Sequence, residues 1–162
     1  MKKLLLILLV LASCIQIDAQ DTRLVGTWKY HKEAVMGDGE HYNWDNFIRI
    51  DMEDNHVYVR LKQITNVDGN EYQDRTEGEH IVINTDGSIS FDDYINKNGY
   101  HDDDNLYWTV WYHYVVKYEG GRLNVSQKLM GEGRNSNGYL IKDEKNIHPV
   151  EHKVYYNEKE NW

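Results

Sequence analysis

The sequence predicts an all-β protein folded as a single antiparallel up-and-down β-barrel of about 8–10 strands. Three observations carry that expectation. The chain is rich in strand-forming aromatics, with 13 Tyr and 5 Trp against a single Pro in 162 residues. From Arg23 onward, apolar and polar residues alternate with a period of two, run after run. Asp-Gly and Gly-Gly pairs punctuate those runs, as tight hairpins require.

The first element is not part of that body. Lys2 and Lys3 precede an apolar run from Leu4 to Leu11 and the small residues Ala12 and Ser13, the three-part layout of a secretory signal. The run is eight residues, ten with Ala12 and Ser13, at most half of the roughly 20 that a spanning helix needs. Leu11-Ala12-Ser13-Cys14 resembles the lipobox of bacterial lipoproteins. The resemblance implies cleavage before Cys14, acylation of its sulfur, and a membrane contact through that lipid alone. Residues 1–13 are then the signal, 14–21 the lipidated cysteine and tether, and 22–162 the barrel domain. The expected location is the cell envelope, lipid-anchored at the outer membrane or in the periplasm, or secreted. Cys14 is the only cysteine, so no disulfide staples the fold.

Along the body, Arg23 to His31 reads as the first strand, and residues 32–44 as a short helix or lid weakened by Gly37 and Gly39. Phe47 to Asp51 and Val57 to Lys62 read as a hairpin about Glu53-Asp54-Asn55. Asp68-Gly69 marks a turn, and Ile81 to Ile83 pairs across Thr85 to Ser88 with Ile89 and Phe91. Residues 92–105 read as a long polar loop. Leu106, Trp108, Val110, Tyr112, Tyr114, Val116 and Tyr118 share one parity, which makes that face the candidate core. Gly120-Gly121 turns the chain into Leu123 to Leu129; a loop near Gly131 to Gly138 follows, then strands at Tyr139 to Ile141 and Val150 to Tyr156. About nine strands at this spacing form a meander, and closure into a barrel hides its edges.

Leu24-Val25-Gly26-Thr27-Trp28 resembles the opening of the lipocalin and fatty-acid-binding families, where a Gly-x-Trp element begins the first barrel strand. More closely, the order of lipobox, tether, Gly-Thr-Trp and meander is similar to the lipocalin-like domains of bacterial lipoproteins. The resemblance implies that Gly26 lets the chain bend at the barrel floor and that Trp28 plugs it. No arginine follows Arg134 to stack on the tryptophan. The likeness is therefore to calycin-type barrels broadly.

The candidate ligand-binding residues are Trp108, Tyr112 and Tyr114, whose flat apolar bodies and polar tips suit amphiphiles. Arg60 joins them if it points inward, as a fork for a carboxylate. Metal binding is not expected. His148 and His152 on an extended chain are roughly 13 Å apart, and the acidic runs Asp51 to Asn55 and Asp102 to Asn105 lack calcium-loop spacing. No cofactor is expected, and no catalytic residue: Ser88, Ser90, Ser126 and Ser136 have no nucleophile frame. The formal charge of -9 repels phosphate backbones, which excludes nucleic acid as a partner. The expected function is non-catalytic binding of a small hydrophobic or amphiphilic molecule inside the barrel. The alternatives are a filled barrel that docks an envelope complex or a glycan, and an enzyme working at the barrel mouth.

Overall fold

A computed structural model describes residues 22–37, 39–54, 56–97, 107–135, 149–159 and 162. A 3-10 turn at Thr22–Leu24 leads into nine strands: β1 Gly26–Val35, β2 His41–Glu53, β3 His56–Val67, β4 Asn70–Glu77, β5 Glu79–Ile83, β6 Ile89–Lys97, β7 Tyr107–Glu119, β8 Arg122–Asn135 and β9 Glu151–Asn157. All pairings are antiparallel, in one sheet ordered β4-β3-β2-β1-β9-β8-β7-β6-β5, which wraps into a nearly closed up-and-down barrel. Among the described residues no helix is long and apolar enough to cross a membrane.

The first and last strands join each other. Trp28 lies opposite Asn157 and Lys29 opposite Tyr156, and the Glu158 amide donates to the Thr27 carbonyl at 2.8 Å. The seam falls instead between β4 and β5, which are consecutive in the chain and separated by Gly78 alone. β4 pairs with β3 and β5 pairs with β6. The chain therefore changes partner part-way along, with a register irregularity around His80, whose φ is 50°, just after the change.

Gly78 makes that exchange possible. Its amide donates to the Val59 carbonyl at 2.8 Å, and a Cβ there would lie 3.0 Å from Val59 Cβ and 3.1 Å from the Phe91 ring. No larger residue fits without displacement.

Period-2 geometry then sorts the side chains. Even positions of β1, β2 and β7 point inward, as do odd positions of β3, β6, β8 and β9. This delivers Trp28, Ile48, Ile50, Val59, Phe91, Val116, Leu123 and Val125 to one core, each nearly solvent-free.

Three sequence expectations need correction. Residues 32–44 form no helix or lid: β1 runs to Val35 and β2 starts at His41, and the glycines serve the hairpin, with the Gly39 amide bonded to the Met36 carbonyl at 2.9 Å. Residues 92–97 belong to β6 rather than to a loop, and β8 continues through the glycines to Asn135. The strand expected at residues 139–141 lies outside the described residues.

Candidate functional site

The barrel interior has two unlike halves. The half containing the N-terminal turn is apolar and packed. Trp28 is 2 % exposed, its indole N–H donates to the Leu24 carbonyl at 2.9 Å, and Tyr118 meets its ring edge-on at 5.9 Å. Arg23 lies over the Tyr118 ring at 4.9 Å, so a guanidinium does stack at this end, one ring away from the tryptophan. Gly26 opens β1 at φ 137°, a conformation side chains rarely adopt, with Asn157 Nδ2 lying 3.4 Å from where a Cβ would be.

The other half is polar. Tyr114 is stacked on Phe91 at 5.0 Å and its hydroxyl accepts from Gln127 Nε2 at 2.8 Å. Gln127 Oε1 in turn accepts from Lys153 at 2.6 Å, and Lys153 pairs with Glu151 at 3.1 Å and lies 5.8 Å from the Tyr30 ring centre. Tyr30 leans on Tyr155 at 5.5 Å. Three adjacent strands thus supply one chain of polar contacts along the wall of the bore.

Beside that chain sits Asp93 on β6, only 1 % exposed. It lines a cavity of about 50 Å³ together with Leu61, Thr76, Ile95, Tyr114 and Tyr155, with Lys62 and Asp74 at its margin. Asp93 Oδ1 has no hydrogen-bond partner. Burial pushes the Asp93 carboxyl up to about 6, the Thr76 side chain opposes that shift through a hydrogen bond, and the charge of Glu79 adds to it. Burial raises the Tyr114 hydroxyl well above its usual value, with the Asp93 charge contributing. Tyr155 is raised by burial as well.

The expected ligand residues are split by this arrangement. Tyr114 faces the cavity, and Tyr112 packs against the core with its ring 6.3 Å from that of Tyr114. Trp108 belongs to β7 opposite Lys97 and Arg134, and its side chain lies outside the described atoms.

Arg60 is a correction. It is an even residue of β3, so the alternation that sends Val59 and Leu61 inward turns it out, where it hydrogen-bonds Asp51. Arg49 also holds Asp51, at 3.0 Å. Burial alone would raise Asp51, but its hydrogen bonds to Arg60 and Arg49 hold it below the usual value. Arg60 instead borders an outer groove of about 300 Å³ along the seam, with Glu53, Tyr58, Glu77 and Ile81. Cys14, His148 and Asp102 to Asn105 lie outside the described residues, and no metal-ligating cluster occurs among the described ones.

Asp93 escaped the sequence reading although a signal for it exists. Ile89, Phe91 and Ile95 share a parity, and Asp93 is the carboxylate on that otherwise apolar row. Taking 92–105 as a loop hid it.

No protein-family model, curated protein or solved structure matches this chain.

Proposed function

We propose that this chain is an exported barrel of lipocalin-like kind, anchored through an acylated Cys14, that binds a small, partly apolar molecule through its polar end and catalyses no reaction. The observation that carries the proposal is the divided bore: one half is filled to the Trp28 floor, while the other keeps a cavity walled by Leu61, Ile95, Tyr114 and Tyr155 around the buried Asp93. Apolar side chains interspersed with polar groups, here Asn46, Gln63, Asp74 and Thr76 besides Asp93, are the materials of small-molecule sites. At about 50 Å³, against the roughly 300 Å³ or more of sites that enclose a whole drug-sized ligand, the cavity suits a very small molecule or the end of a larger one.

A second reading, a packed barrel that docks a partner, is favoured by one outer feature. His80 and His113 both reach Asp92, at 3.1 and 2.7 Å, beside the stacked pair Tyr94 and Trp111 at 5.7 Å. Native mass spectrometry of protein purified from its own host separates the two. A folded species carrying a small molecule that is released on denaturation is expected. A bare mass from folded protein overturns the binding proposal and favours the docking surface.

A further inference from the structure

We infer that Asp93 receives the ammonium head of a small primary amine, whose hydrocarbon stem lies along Leu61, Ile95 and the rings of Tyr114 and Tyr155. The inference rests on the binding reading above and names its ligand chemistry.

Four observations carry it. The first is the unpartnered carboxylate oxygen itself, Asp93 Oδ1, buried on a residue that lines the cavity. A buried acceptor left without a donor is costly, so a ligand that brings one gains more than it would at a satisfied site. The second is charge. Lys62 from β3, Asp74 from β4, and the phenols of β7 and β9 line the same cavity, and Glu79 from β5 acts on Asp93 through its charge. Lys62 holds its ammonium 4.4 Å from the centre of the Phe47 ring on the outer side of the sheet. Asp93, Asp74 and Glu79 thus stand against Lys62, whose ammonium is taken up by the Phe47 ring, and Lys153, which is held by Gln127 and Glu151, so the balance of charge disfavours an anionic head.

The third is the wall. Phenol rings accept a cation on their faces, and a charge-assisted N–H to carboxylate bond is about twice as strong as a neutral one. The fourth is size, since about 50 Å³ suits a molecule of a few heavy atoms, head and short stem together. Burial raises Asp93 to about 6, so the carboxylate form that an ammonium needs is dominant at pH 7.5 and a minor species at pH 5.

The test titrates n-butylammonium chloride into the whole protein, with n-butanol and sodium butyrate as probes of the same stem and sodium chloride as the ionic control. Amide NMR shifts of Thr76, Asp93, Ile95 and Tyr114 are followed. Butylammonium alone is expected to move them saturably. Its affinity should fall about tenfold from pH 7.5 to pH 5, following the ionised fraction of Asp93, and about tenfold or more in Asp93→Asn. The pH profile of the unaltered protein decides the matter if that variant does not fold.

Butanol binding as tightly as butylammonium, with no pH dependence, overturns the amine inference and leaves the binding reading standing. Butyrate binding in preference does the same. No shift at these residues with any of the three overturns both.

Discussion

Asp93 carries a cost that the rest of the fold must offset. Its carboxyl titrates near 6 in the folded protein against an ordinary 3.8, so between those values the folded chain holds a proton that the unfolded chain has released. Stability from this group is therefore complete below pH 4 and is lost as the pH rises through about 6. Two pH units correspond to about 3 kcal/mol. Asp93→Asn, which cannot ionise, should be more stable than the parent at pH 7.5 by about 1–3 kcal/mol, and the gap should close below pH 4. Urea midpoints at the two pH values check this. A variant destabilised equally at both would mean that the carboxylate is satisfied when charged. The alternation that carries Asp93 inward on β6 also turns Arg60 outward on β3. Sequence alternation locates both residues once the strand limits are known, and misplaces them when the limits are wrong. Tyr114 was legible because β7 alternates over its whole length, whereas Gln127 and Lys153 look like ordinary surface residues until pairing brings them under the Tyr114 hydroxyl.

β4 was the element least legible in the chain, whereas the apolar run of β5 was legible from Ile81 to Ile83. Asn70 to Glu77 reads Asn-Glu-Tyr-Gln-Asp-Arg-Thr-Glu, and only Thr76 is other than exposed. Hydrophobic alternation therefore had nothing to report. What holds the segment is its ladder with β3, eight consecutive register pairs from Val67 opposite Asn70 to Arg60 opposite Glu77. Pairing is a property of two strands, and a polar strand beside a patterned one carries no signal of its own. β7, with three inward residues 6 % exposed or less, was legible for the opposite reason. Gly78 sits where the chain leaves one neighbour for the other, and its lack of a side chain is a packing requirement. Gly78→Ala should force Val59 and the Phe91 ring apart and cost about 1–3 kcal/mol. Hydrogen exchange at the Gly78 amide should speed up more than at β8. A neutral substitution would show that β3 and β6 shift freely about the seam.

Closure between β1 and β9 gives the molecule a ring in which the described ends of the chain are neighbours. Trp28 faces Asn157, Glu158 bonds back to Thr27, and Gly26 lies against the Asn157 side chain. Every strand except β4 and β5, which flank the seam, is held by two neighbours, so the chain has no privileged starting strand away from that seam. At the same end of the barrel, Gly120 and Gly121 make the β7–β8 turn with φ 58° and 83° and nothing within 4 Å of an added Cβ, so that turn carries little packing. Joining residue 159 to Thr22 by a short glycine linker and opening the chain between Gly120 and Gly121 should therefore leave the barrel intact. The permuted protein is expected to keep the β-sheet circular dichroism of the parent and a single cooperative thermal transition within about 10 °C of it, the modest loss reflecting a hairpin turned into two free strand ends. Loss of β7–β8 order alone would show that the turn was holding the sheet. A chain that fails to fold, with the linker long enough to span the gap, would show that the β1–β9 contact does not close the ring in solution. The packed half around Trp28 and the divided bore would then need a different boundary.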